Sequence, residues 1–376
     1  MNAAYRYGRI LIHISGFLLT AAAQQPANPT AQATPGEVRT PAVAASGDDL
    51  RQVVLDVVVT DKSGKPIPGL QQQDFIVLDN KQPAKILSFH AQSGAAVTSG
   101  PEAGVELFLV FDEVNTPLER VWFERDAVKR FLAQNNGKLP CPVSLAFFSE
   151  AGIQIQNQSS QDGFALADAL EQHQASMRTI GRSEGFFGNE DRVRLSLDAL
   201  NSLAAREKAS PGRKMVIWIS PGWPLLSGAR DTLTPAQKQH VFNSVVRLSA
   251  ALREARITLY SIDPLGASGA GGIRTSFYEE FVKGLPNPDR AQVGDLGLQT
   301  VATQTGGRAI FGNDAILNSI NHCAADLGAY YVLSIESPPA DRANEYHGIE
   351  VKLGTKGLTA RTRTGYYAQS KGGQTE

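Results

Sequence analysis

Three stretches of this chain, 105–111, 214–220 and 257–263, are apolar at most positions and rich in β-branched and aromatic residues. A strand with one wet face alternates polar and apolar side chains. A run without that alternation is buried on both faces, which is the state of parallel strands covered by helices on either side. The intervening sequence supplies such helices. Positions 119–134 place Val121, Phe123, Ala127, Val128, Phe131 and Leu132 near one face, and 235–255 is strongly amphipathic with Pro235 in its first turn. Further strands are predicted at 143–148, 152–156 and 308–311, and further helices at 164–173, 192–206, 296–305 and 315–327. This alternation predicts an α/β fold over 104–328, a doubly wound, mostly parallel, Rossmann-type sheet.

The first apolar run ends on Asp112-Glu113-Val114-Asn115-Thr116 and leads directly into a helical pattern. Open α/β sheets place their ligands at the carboxyl ends of their strands, so this tip is the first candidate site. The loops expected to gather with it are 112–117, 176–191, 220–227 and 263–272.

Two flanking segments read differently. In 51–92, the β-rich 53–59 is followed by turn chemistry at Asp61-Lys62-Ser63-Gly64-Lys65-Pro66 and by a hairpin around Asn80. In 329–368, runs at 330–335, 348–353 and 358–363 have strand composition. Neither set of strands buries enough alone to be stable. The two are therefore expected to pack together as one β-rich module into which the α/β domain is inserted.

The chain has 376 residues, and 36 Lys+Arg against 37 Asp+Glu leave a net charge of -1, so no general attraction to nucleic acid is built in. Arg6 and Arg9 precede an apolar stretch over 10–19 and then small residues, the pattern of a cleavable export signal over 1–23. A flexible linker rich in Pro, Ala, Gln, Thr and Ser is expected over 24–50. No window approaches the ~20 apolar residues of a transmembrane helix. Cys141 and Cys323 are the two cysteines, compatible either with one disulfide or with two buried thiols.

The order of elements, with the tip motif after the first strand and Ile217-Trp218-Ile219-Ser220-Pro221-Gly222 after a later one, resembles a von Willebrand factor type A (vWA) domain. The upstream pattern Val57-x-Val59-x-Asp61-x-x-Gly64-x-Pro66-Ile67-x-Gly69-Leu70-x-x-x-Asp74-Phe75-x-Val77 sharpens this. Together with Thr305-Gly306-Gly307-Arg308 and Tyr330-Tyr331-Val332-Leu333, it resembles the exported VWFA-related branch described chiefly from acidobacteria. The resemblance covers roughly 51–368. It implies a metal-ion-dependent adhesion site, in which an Asp-x-Ser-x-Ser run, a Thr and an Asp hold a divalent cation through oxygen ligands. Asp112 and Thr116 match the first and last places of that run. Val114 replaces the middle serine, and Pro221 stands where the later Asp belongs. For the second loop, Thr179 and Ser183 are loose candidates. Two lost oxygens predict weak or absent binding of Mg²⁺ or another divalent cation. Glu113 would restore a ligand if its side chain turned inward. Alternatively, Asp112 caps the following turn and Asn115 stabilises it.

No Gly-x-Ser-x-Gly elbow, His-Glu-x-x-His or phosphate loop is present in the sequence, and the histidines follow no ligand or triad spacing. The glycine cluster at 266–272 lacks the lysine a phosphate cradle needs. Asp263, ending a strand at the same edge as Asp112, is the one further acid retained. The sequence thus favours an exported, non-catalytic module that binds a protein or peptide outside the cytoplasm, over a metal-assisted hydrolase using Asp112 and Asp263. The partner-binding candidates are Trp223, Phe186, Phe187, Arg182 and Arg274, residue types that dominate interface hot spots. Trp223, between Gly222 and Pro224, is expected either to face solvent as an anchor or to fold back and plug the sheet edge.

Overall fold

Among the described residues, the computed structural model begins with β1 (Gln52–Thr60), β2 (Phe75–Asp79), β3 (Gln82–Pro83), β4 (Ile86–Ser93), β5 (Glu106–Asp112) and α1 (Leu118–Leu132). There follow β6 (Lys138–Ser149), β7 (Gly152–Ile155), β8 (Ser160–Asp162), α2 (Gly163–Gln172), α3 (Gly185–Glu207), β9 (Lys214–Ile219) and α4 (Pro235–Glu254). The chain continues through β10 (Ile257–Asp263), α5 (Leu298–Gln304), β11 (Ala309–Phe311) and α6 (Ile316–Ala324), then β12 (Ala329–Glu336), β13 (Glu345–Leu353), β14 (Thr359–Arg361) and β15 (Gly365–Ala368). The structure describes residues 52–94, 104–174, 185–224, 233–265, 278–311 and 315–368, with side chains from 188 onward in α3. The expected export signal and linker lie outside the described residues. Among those described, no helix is long and apolar enough to cross a membrane.

The three apolar runs are neighbours in one sheet of order β11-β10-β9-β5-β6-β7, with β8 also paired to β6. β11, β10, β9, β5 and β6 run parallel, whereas β7 and β8 are antiparallel to β6. Both faces are covered. Phe108, Val110, Val216 and Trp218 pack against Leu200, Leu203, Val245 and Leu252 of α3 and α4. Leu107, Leu109, Met215 and Ile217 point the other way, toward Val128, Leu132, Leu166 and Ile320 of α1, α2 and α6. The split follows the two-residue period of a strand, and burial of both sides is why these runs show no polar alternation. Register brings the tips level: Phe111 lies opposite Ile219, and Ile219 opposite Ile262. Asp112, Ser220 and Asp263 therefore emerge side by side at the carboxyl edge.

The flanking strands form two four-stranded sheets, β14-β1-β12-β4 and β15-β13-β2-β3. Leu55 pairs with Leu333 and Val77 with Val351, so each sheet joins early to late sequence. Leu55, Val57, Phe75, Val77, Tyr331, Leu333 and Tyr366 share one core cluster between them. Tyr331 closes it by donating its hydroxyl to the Ile67 carbonyl at 2.6 Å and accepting from the Leu70 amide at 3.1 Å.

This module sits against the amino-terminal edge of the parallel sheet. Arg256, just before β10, pairs with Asp56 of β1 at 2.6 Å, and Arg361 of β14 pairs with the buried Asp326 beyond α6. Gly306 has φ +91°, and a Cβ there would lie 2.7 Å from the backbone carbonyl carbon of Thr362; a Cβ on Gly307 would lie 1.7 Å from the Leu259 carbonyl oxygen. The Gly306-Gly307 pair thus lets the chain turn tightly into β11 beneath the module.

Several elements depart from the sequence reading. β8 and β15 are additional, β6 starts earlier, and α3 begins at Gly185, ahead of its expected start at 192. Phe123, expected on the inner face of α1, is 63% exposed. Cys141 and Cys323 are free and buried in the same core cluster, which excludes the disulfide alternative. Burial pushes the Cys141 thiol up to about 12 and raises Cys323 as well.

Candidate functional site

β5 delivers Asp112 to the tip with no exposed surface. Its carboxylate is enclosed by five donors. Oδ1 accepts the amides of Val114 at 3.0 Å and Asn115 at 2.7 Å, which makes the turn after the strand. Oδ2 accepts Asn115 Nδ2 at 2.9 Å, Trp218 Nε1 at 3.2 Å and Ser220 Oγ at 2.7 Å. Asn115 Nδ2 also donates to Ser196 Oγ at 3.0 Å, and that hydroxyl donates to the Arg192 carbonyl at 2.7 Å, tying the tip to α3. A charged acceptor held by this many donors is a strong local organiser.

Of the expected ligands, Asp112 has both oxygens engaged by protein groups, and Thr116 Oγ1 is buried with no hydrogen-bond partner among the described residues. Val114 is buried in the core facing α3 and α4. Glu113 does not turn toward Asp112. Its carboxylate lies 3.0 Å from His173 Nε2 and 3.4 Å from Arg125 Nη2, while Arg125 Nη1 donates to the His173 carbonyl at 2.8 Å. The inward Glu113 is thereby corrected: a guanidinium and an imidazole on the α1 and α2 side offer it a better-compensated buried position. Thr179 and Ser183 lie outside the described residues. No group of three or more His, Cys, Asp or Glu able to hold a metal occurs among the described residues. Asp263 accepts the Leu265 amide at 2.9 Å, the turn role that Pro264 suggested. β9 stands between β5 and β10, so the backbones of Asp112 and Asp263 are roughly 10 Å apart, too far to bridge through one ion without leaning together.

Beside the tip lies a cleft of about 460 Å³ lined by Arg192, Pro221, Trp223, Tyr278, Gln299 and Phe311 among others. The expectation of a solvent-facing Trp223 is corrected, since the ring is 3% exposed. Gly222, at φ +83°, folds the chain back, and Trp223 Nε1 donates to the Leu296 carbonyl at 2.9 Å. Trp223 meets Trp218 edge-on with centroids 6.3 Å apart. It closes the sheet edge and forms part of the cleft wall. Arg182 and Arg274 lie outside the described residues, as do the side chains of Phe186 and Phe187, whose backbone begins α3.

An aromatic surface that the sequence reading missed lies next to the tip. α1 starts at the carboxyl edge and leaves Leu118 51% and Trp122 65% exposed, one helical turn apart. Arg125 lies 5.7 Å from the Trp122 ring centroid, so Glu113 anchors the guanidinium on which the indole rests. Helical spacing carries the signal: Trp122 lies off the stripe made by Val121, Val128 and Leu132.

The strand order and the tip motif after β5 give the vWA-like fold that the sequence resemblance implied. No protein-family model matches the chain, and no curated protein matches it in sequence. Among solved structures, BatB from Bacteroides thetaiotaomicron, a conserved hypothetical protein, is similar with a TM-score of 0.29 and 13% identity over 60% of this chain and 98% of that one. The VWA domain of SpRpn10 gives 0.25 and 9% over 60% and 97%. The pilus adhesin SpaC from Lactobacillus rhamnosus GG gives 0.33 and 12% over 79% and 49%. With TM-scores this low the three likenesses carry no weight for function, and the fold rests on the strand order itself.

Proposed function

We propose that the chain is an exported, non-catalytic binding module that engages a protein or peptide partner at the carboxyl edge of its sheet and the adjoining face of α1, with no divalent cation required. The observation that carries this reading is the exposure of Leu118 and Trp122 on the helix launched from the tip. Exposed Trp, backed by a fixed arginine, is the residue type most enriched in interface hot spots. Independence from metal is supported by the donors around Asp112, which supply the positive partial charge that a cation supplies elsewhere. Export is supported by the amino-terminal pattern of Arg6, Arg9 and the apolar 10–19.

The test places a photocrosslinking amino acid at position 122 or at Ile76, an exposed residue of β2, in the protein as exported by its host. A discrete adduct from position 122 and none from position 76, unchanged by EDTA, is expected. Adducts that are the same from both positions, or that vanish with EDTA, would overturn the reading.

A further inference from the structure

We infer that a small cavity beside Arg363, enclosed by α4, α5 and the turn from β14 to β15, is a halide site, and that a chloride ion held there on the guanidinium clamps the accessory module to the α/β domain. Arg363 belongs to the module but reaches in among the helices, leaving it 8% exposed. Burial, with Arg253 adding to it, lowers its pKa to about 10, so the guanidinium still carries its charge at neutral pH. Among the described residues it makes no hydrogen bond and no close ion pair. Asp56 is near enough to favour its charge, but that carboxylate is bonded at 2.6 Å to Arg256 instead. The Tyr346 hydroxyl donates to the Thr364 carbonyl at 3.1 Å. A guanidinium has five N–H donors and no acceptor, and burying it without an anion is costly. The site therefore calls for a negative group from outside the chain.

The size of the cavity decides which anion. It measures about 20 Å³, and a single water-sized particle needs about 10 to 15 Å³. One monatomic ion fits, whereas phosphate, sulfate or a peptide carboxylate does not. Leu248, Leu252, Leu296 and Val301 make its walls mostly apolar, so few protein acceptors compete for the guanidinium. Two further donors line it. Ser249 has a hydroxyl without a hydrogen bond among the described residues, and Gln304 Nε2 gives one of its two N–H groups to the Phe281 carbonyl at 2.9 Å. Asp295 is the one acid among the described residues on the wall, and burial pushes its pKa up to about 6, so its neutral form can share the cavity with an anion. Exclusion of water strengthens each charge-assisted bond that the ion receives.

The experiment melts the full chain in buffer below the Asp295 pKa, with chloride or bromide replacing gluconate at constant ionic strength. Either halide should raise the thermal midpoint saturably, by about 3 °C or more at saturation. Arg363→Met keeps an unbranched apolar chain in place of the cation and should abolish that rise. Should this variant fail to fold, Ser249→Ala serves instead and should raise the half-saturating halide concentration roughly fivefold, the equivalent of one neutral hydrogen bond. Crystals of the full chain grown in bromide should show an anomalous peak in the cavity beside Arg363. A midpoint indifferent to halide, an equal rise in Arg363→Met, an unmoved half-saturation in Ser249→Ala, or bromide crystals with no anomalous peak in the cavity would each overturn the inference.

Discussion

Ser220 Oγ donates to Asp112 Oδ2 at 2.7 Å across the tips of two adjacent parallel strands, β9 and β5. With Trp218 Nε1 from the same strand, it fills the carboxylate oxygen that would otherwise face the loops. The acid at the tip thus joins the two strands. Its loss and the addition of metal should then have opposite consequences from those at a cation site.

Millimolar Mg²⁺ or Mn²⁺ should stabilise the protein by less than about 1 kcal/mol, because stabilisation by a ligand requires appreciable saturation of the folded state. Asp112→Ala, in contrast, strands buried donors and should cost about 3 kcal/mol or more. Thermal melts with metal and with EDTA, on both proteins, check this. A large, saturable shift that disappears in Asp112→Ala would refute it.

The two tryptophans at this end should behave oppositely. Trp223→Ala removes a 3% exposed ring and its bond to Leu296, and should cost about 3 to 5 kcal/mol in urea unfolding. Trp122→Ala alters a ring that is 65% exposed and should change stability by no more than about 1 kcal/mol. Its effect should appear in partner affinity, as a loss of about 2 kcal/mol or more. Similar stability losses in both variants would show that Trp122 is a packing residue.

β5, β9 and β10 were legible because continuous apolar runs have one stable environment, the interior of a parallel sheet. β8 and β15 were not. Ser160–Asp162 carries no apolar side chain and pairs at the edge opposite Val143, while Gly365–Ala368 is recognisable only once β13 lies beside it. At the site, Gly222-Trp223-Pro224 announces a turn but not its direction, which is set by the Leu296 carbonyl far along the chain. Asp112 stood out from its place after an apolar run. Its role did not, because the donors on Oδ2 include side chains of another strand.

The accessory module should lose its early half when its late half is removed. In β2, Val77 pairs with Val351 and Phe75 with Leu353, and the remaining partner β3 spans only Gln82–Pro83. Deleting 340–368 should expose the amides of Phe75–Asp79 to rapid hydrogen exchange while Leu107 to Phe111 stay protected in the parallel sheet. Retained protection at Phe75–Asp79 would mean that the hairpin stands without its late partner.

Stability should also depend on pH through Asp295, a buried acid in the turn that carries Leu296. Burial raises its pKa from 3.8 to about 6, partly opposed by the Gln292 amide, which donates to Oδ2 at 2.8 Å. A carboxyl whose folded pKa lies above its unfolded one favours folding while protonated, so this contribution is fully present below about 3.8 and is lost as pH rises through about 6. Asn is the neutral isostere and keeps an oxygen for the Gln292 amide. Asp295→Asn should therefore match the parent at pH 4 and exceed it at pH 8 by on the order of 2 kcal/mol, the scale of a shift of about two pKa units. Urea unfolding at the two pH values measures the difference. An Asn variant that is less stable than the parent at pH 8 would mean that the ionised carboxylate is compensated where it sits, and that burial is not what governs this turn.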